Sequence, residues 1–147
     1  MARGPDASLR LTRRLAASPE EVFDAWCDAA LLRQWFQPGN ISLPVIELDL
    51  RVGGAYRIVM RDEDDDYDHH GEYVEVERPR RLAFTWISPA TKGETTLVTI
   101  ELEPDGDGTA LTLTHARLPG DEAAARHRGG WSNVLESLAK HVASNGR

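Results

Sequence analysis

Thiols are almost missing from this sequence. Cys27 is the one cysteine, so no disulfide can form within the chain and no thiolate cluster can hold zinc. It sits among Ala25, Trp26 and Ala29 in a helical pattern, with Asp28 beside it. That setting suits a small buried hydrophobe rather than a nucleophile, which needs electropositive surroundings. Long apolar runs are missing too. None approaches the roughly 20 residues of a membrane-spanning helix, and Met1 to Ala7 holds no signal-peptide core. These absences predict a cytoplasmic protein that stays off the membrane. Basic charge is scarce: 17 Lys and Arg stand against 24 Asp and Glu, for a net charge of −7. A nucleic-acid binder needs a basic face to displace counterions. Here the basic runs are short, Arg13-Arg14 and Arg78 to Arg81, so nucleic acid is not an expected partner.

Catalytic signatures are lacking as well. There is no GxSxG elbow, no glycine-rich phosphate loop, no HExxH and no GxGxxG. Gly53-Gly54 is not followed by a helix whose N-terminus would hold a phosphate, and reads as a turn. In the tract Asp62 to His70, Asp64, Asp66, Asp68 and His70 alternate at strand spacing. A calcium loop needs a glycine turn and a closing glutamate that this tract does not have. It reads as a solvated hairpin tip, and neither a metal nor a cofactor is expected.

What is present is patterning. The length of 147 residues fits one domain able to bury roughly 70% of its unfolded surface. Residues 1–7 read as a flexible tail and 8–147 as the domain. Leu9, Leu11 and Leu15 alternate with polar residues as a strand, with Arg13 on the apolar side. A bulge that turns Arg13 outward is preferred over an inward cation with a partner. Ser18-Pro19-Glu20-Glu21 is a capping box opening a helix that buries Val22, Phe23 and Trp26. Asp28 caps a second short helix carrying Leu31, Leu32, Trp35 and Phe36, and Pro38-Gly39 stops it. Ile46 to Val52 and Tyr56 to Arg61 alternate as two strands joined by Gly53-Gly54. Further strands follow at Gly71 to Val76, Leu82 to Trp86, Val98 to Leu102 and Leu111 to His115. Tyr73, Val74 and Val76 cannot share a face without a bulge.

The last stretch organises the rest. Ala124, Arg128, Trp131, Leu135, Leu138 and Val142 form one helical stripe, widened by Val134 and Ala139. Gly129-Gly130 inside it signals a kink or late start, or a close approach of backbone to sheet or ligand. The fold class predicted is α+β. A curved antiparallel sheet of six to seven strands surrounds a long C-terminal helix, with two short helices after the first strand. A helix that meets such a sheet along one edge leaves a cavity at the other. Candidates for lining it are Trp35, Tyr56, Met60, Tyr73, Trp86, His115 and Trp131. His115, at a strand end on the inward side, is the one candidate acid or base.

Several strings together resemble a known family: Ser18 to Trp26, Leu32 to Pro38, Asp49 to Tyr56, Gly71 to Val76, Pro79 to Trp86, and Gly130-Trp131 followed by Leu135 and Leu138. They are similar to the C-terminal-like group of activators of heat-shock-protein-90 ATPase, in the START-like (SRPBCC) superfamily with the birch-pollen-allergen helix-grip fold. The resemblance spans about residues 9 to 143 and implies a helix-grip domain. That fold hosts lipid and polyketide binders, cyclases and co-chaperones. The first expectation is a module binding a small hydrophobic or aromatic molecule. The second is a protein-interaction domain of the chaperone-activator type, and the third a cofactor-free cyclase or hydrolase using His115. A monomer or homodimer is expected.

Overall fold

The computed structural model describes residues 7–36 and 41–144. The expected tail up to Asp6 and the Pro38-Gly39 stop lie outside them. The chain begins with β1 (Ala7–Leu15), so Ala7 is already strand, and continues through α1 (Pro19–Cys27) and α2 (Ala29–Trp35). Then come β2 (Ser42–Leu48), β3 (Ala55–Arg61), β4 (Asp66–Glu77) and β5 (Arg81–Trp86). After a single 3-10 turn (Pro89–Thr91) the chain runs through β6 (Thr96–Asp105), β7 (Gly108–Leu118) and α3 (Asp121–Ser144).

All seven strands form one sheet in the order β1-β7-β6-β5-β4-β3-β2, and every pair is antiparallel. The first strand therefore lies beside the last, which brings α3 back over β1. Apolar residues at period two put one face of each strand into a common core with α1, α2 and α3. Capping sets the two short helices. Ser18 Oγ accepts from the Glu21 N–H at 3.2 Å, and Asp28 Oδ1 accepts from the amides of Ala30 and Leu31 at 2.9 and 3.1 Å. Asp28 also closes α1, its amide donating to the Asp24 carbonyl.

Four local expectations need correction. Pairing of β1 with β7 is regular through Arg13, and the irregularity falls between Ala7 and Leu9. Arg13 instead reaches from the helix-facing side to Glu136 of α3, at 2.9 Å, so the cation keeps its charge half in water with a partner. The second strand stops at Leu48. Residues 49–54 fold into a turn in which the Arg51 amide donates to the Asp49 carbonyl and the Gly54 amide to that of Arg51. Leu50 and Val52 are thus exposed. The fourth strand starts at Asp66, five residues before Gly71: Asp66 lies opposite Arg61 of β3 and is ion-paired to it, and Asp68, opposite Val59, reaches diagonally to Arg57. Only residues 62–65 form the tip. The bulge expected near Val74 is present, as a register shift between Tyr73 and Glu75.

The fourth correction concerns α3. It runs unbroken through Gly129-Gly130 from Asp121, so there is no late start. A Cβ built on either glycine meets no atom within 4 Å, so the backbone makes no close approach there. The buried face of the first turns is Ala123 and His127, while Arg128 is exposed. From Trp131 onward, Val134, Leu135, Leu138 and Val142 are buried as the period predicts.

Candidate functional site

Helix α3 packs closely on the β1 edge of the sheet. Toward β3, β4 and β5 the separation is bridged by aromatic side chains. Trp131 stands at the centre of that bridge, with ring centroids 5.1 Å from Trp86, 6.2 Å from Phe36 and 6.3 Å from Trp26. Tyr56 lies 5.5 Å from Phe84 and 5.7 Å from Tyr73.

Two cavities flank this bridge. The first has a volume of about 20 Å³ and is lined by Trp26, Tyr56, Tyr73, Phe84, Trp86 and Trp131, among others. A water needs roughly 10–15 Å³, so this space admits about one. The second, of about 160 Å³, opens between α3, β3, β4 and the 3-10 turn. Its apolar wall is Phe36, Met60, Trp86, Ala90, Trp131 and Val134, and its polar wall is His69, Arg126 and His127. Gly130 contributes bare backbone at the edge. A cavity of roughly 150 Å³ is enough for a benzene ring.

The seven sequence candidates distribute unevenly. Tyr56 and Tyr73 line the small cavity, Met60 the larger one, and Trp86 and Trp131 both. Burial holds both tyrosine hydroxyls protonated, their pKa pushed far up by desolvation. Tyr56 donates to the Thr85 carbonyl at 2.6 Å. Trp35 lines neither cavity: its ring packs on Trp26 at 4.8 Å and its N–H donates to the Ala25 carbonyl at 3.0 Å.

His115 lines neither cavity as well. It is fully buried and spent on structure. Trp131 Nε1 donates to its Nδ1 at 2.9 Å, which places the ring proton on Nε2. That nitrogen lies 2.7 Å from Thr96 Oγ1, whose hydroxyl donates to the Trp86 carbonyl at 2.6 Å. Burial, and then the neighbouring His127, push the His115 pKa down to about 3. Both ring nitrogens are engaged and the ring stays neutral, so the geometry does not favour acid–base work by His115.

Two site residues escape the sequence patterns. His127 stands four residues before Trp131 and four after Ala123, a spacing that marks the inward face once Arg128 is set aside. Its Nδ1 donates to the Ala123 carbonyl at 2.8 Å, and burial lowers its pKa. His69 looked like part of the acidic tip, but it is buried opposite Ile58 in the sheet. Its Nδ1 lies 3.0 Å from the Tyr67 carbonyl, and desolvation takes its pKa down to about 4.

The indole donors separate into two groups. Those of Trp35 and Trp131 have acceptors, as above. Those of Trp26 and Trp86 are buried with no acceptor among the described residues. Leaving such a donor unmatched costs about 1–3 kcal/mol.

Comparison with known proteins adds the following. Residues 16–143 match the family model described as Activator of Hsp90 ATPase homolog 1-like protein. Among solved structures, an AHSA1 protein from Silicibacter pomeroyi is 33% identical, with 93% of this chain and 98% of that one covered at a TM-score of 0.82. A Chromobacterium violaceum protein is 29% identical, covering 92% and 96% at a TM-score of 0.84. CalU16 from Micromonospora echinospora is 25% identical, covering 93% and 76% at a TM-score of 0.72. Among curated proteins, no sequence matches this chain.

Proposed function

Given that this chain belongs to the family of Activator of Hsp90 ATPase homolog 1-like proteins, with the START-like fold, we propose that it binds a small hydrophobic or aromatic molecule between the sheet and α3. The observation that carries this reading is the 160 Å³ cavity. Two tryptophans, a phenylalanine, a methionine and a valine wall it, and the exposed Gly130 borders it. Hydrophobic walls with a few polar groups at one side are the usual make-up of a small-molecule site. Burying a single aromatic ring there removes on the order of 100 Å² of apolar surface from water, worth about 2.5 kcal/mol before the cost of association.

The test is native mass spectrometry of the protein purified from its own cell, paired with tryptophan fluorescence against a panel of aromatic and aliphatic molecules. A retained small molecule, or saturable quenching that Gly130→Leu weakens, supports the reading. A bare mass with no response across the panel defeats it.

A second reading comes from the family's description, which concerns activation of a chaperone ATPase. The exposed acidic turn at residues 62–65, ahead of Asp66, is suited to a basic partner surface. Chaperone pull-down at low salt, compared with a variant carrying Asp64→Asn and Asp65→Asn, tests it. No capture in either case removes this reading.

A further inference from the structure

Resting on the proposed binding function, we infer that the larger cavity is limited to ligands of one aromatic ring by the Trp131 indole, which walls it off from the smaller cavity, and that His115 is the residue that positions this wall. Three observations lead there. The first is the partition. Phe36, Trp86 and Trp131 border both cavities. Their rings pack together with Trp131 in the middle, 5.1 Å from Trp86 and 6.2 Å from Phe36. The spaces they separate measure about 20 Å³ and about 160 Å³. A space of roughly 150 Å³ takes a benzene ring, so one ring fills the larger cavity. A second, fused ring has no room inward while the indole stands. It is left at the rim beside Gly130 and Arg126, both exposed, where it gains little burial.

The second observation is what holds the indole. Contact between apolar faces is non-directional and does not by itself fix a ring's orientation. Trp131 Nε1 also donates to His115 Nδ1 at 2.9 Å. His115 Nε2 lies 2.7 Å from Thr96 Oγ1, and that hydroxyl donates to the Trp86 carbonyl at 2.6 Å. The two tryptophans of the wall are therefore the two ends of one chain of hydrogen bonds through His115 and Thr96. All four residues are buried. Turning the indole aside would leave its N–H and the His115 lone pair unmatched in the core, a costly state for both.

The third observation is where His115 itself stands. It lies on β7, an interior strand of the sheet, opposite Val98 of β6 and Leu9 of β1. A group on a strand paired along both sides is held more precisely than one on a loop. His115 is absent from the lining of both cavities, so it touches no ligand there and acts on ligand size through Trp131. That makes it a positioning residue, and the chemistry required at position 115 is an acceptor aimed at the indole.

The experiment titrates the full chain with benzene and with naphthalene at neutral pH, by tryptophan fluorescence, and follows the Trp131 indole N–H by ¹H–¹⁵N correlation NMR. Full burial of a second ring is worth about tenfold or more in affinity. In the unaltered chain naphthalene should bind within about threefold of benzene. In Trp131→Leu, and in His115→Leu, naphthalene should gain about tenfold relative to benzene. His115→Gln, whose side-chain oxygen can accept from the indole, should keep the ratio of the unaltered chain and leave the Trp131 N–H resonance near its place, while His115→Leu moves it upfield. Should His115→Leu fail to fold, Thr96→Val cuts the same chain one step away and takes its place. Naphthalene already tenfold tighter in the unaltered chain overturns the inference and leaves aromatic binding intact. So does an unchanged ratio in Trp131→Leu. A gain in Trp131→Leu without one in His115→Leu overturns the role of His115. If neither molecule binds the unaltered chain, the binding function falls together with the inference.

Discussion

His115 joins β7 to β6 through Thr96 and to α3 through Trp131, and does so as a neutral ring. Protonation would put a second proton where Trp131 already donates, beside the His127 ring with a centroid distance of 4.9 Å. The linkage sign follows. The folded-state pKa is depressed to about 3 from the ordinary value of 6.5, so between those values the unfolded chain binds more protons. The stabilisation is complete above pH 6.5 and shrinks as pH falls, by about 1.4 kcal/mol per pH unit. His69, lowered to about 4, adds a parallel loss over a narrower window. Urea unfolding at intervals from pH 7 to pH 4.5 checks this: His115→Gln should show a shallower pH slope than the unaltered chain, whatever its absolute stability. Identical slopes would refute the assignment. Cys27 makes a second residue-scale case. Burial, then the charge of Asp24, push its thiol up to about 12. The folded protein should react with iodoacetamide at pH 8 at least tenfold more slowly than the urea-unfolded chain. Equal rates would mean that the thiol is open.

Among the elements, α3 carries two glycines in its middle, where glycine is worth about 1 kcal/mol less than alanine. An added methyl at either position meets nothing within 4 Å. Gly129→Ala should therefore raise unfolding stability by up to about 1 kcal/mol in denaturant titration, and Gly130→Ala by a similar amount. A loss of stability in either would show a contact that the geometry does not contain. Gly130 borders the larger cavity, which gives the sequence a reason to keep a weak helix former there. The Arg13–Glu136 pair between β1 and α3 is half exposed on both sides, at 41% and 47%. Such pairs are worth about 0–1 kcal/mol, so Glu136→Gln should cost less than that and the difference should vanish in 1 M salt. The elements were legible where period and chemistry agreed. The Ser18 cap on the Glu21 amide and the stripe from Trp131 to Val142 are of this kind. They were misread where a local pattern met a tertiary constraint. Leu50 and Val52 alternate like strand residues, yet the turn closing at Gly54 needs them. Asp66 to His70 reads as solvent-facing, yet cross-strand arginines keep it in the ladder. In the site, aromatics at strand ends could be picked out because size and position are visible in sequence. His127 could not, since the helix is turned so that the Ala123–His127 line, rather than the Ala124–Arg128 line, faces inward.

At the scale of the molecule, one continuous sheet and one buried cluster join the first strand to the last helix. All four tryptophans belong to that cluster, one in each of α1, α2, β5 and α3. Their fluorescence therefore reports on sheet and helices together rather than on a local corner. A chain with two weakly coupled units would lose the signal of one before the other. Here α3 cannot leave without exposing Trp131 and breaking its bond to His115, and β1 cannot leave without uncovering the face that α3 packs on. The described residues, from β1 to α3, should therefore unfold as one cooperative unit, in keeping with small domains in general. Urea titration at pH 7, followed by tryptophan emission and by circular dichroism at 222 nm, should give superimposable curves with one midpoint. Adding a small aromatic molecule that the cavity binds should move both curves together to higher urea, since a ligand that binds only the folded state stabilises it by RT ln(1 + [L]/Kd). Helical signal persisting after the tryptophan transition would mean that α3 is stable apart from the sheet. The cavity between them would then be a loose contact between two bodies and not a built site.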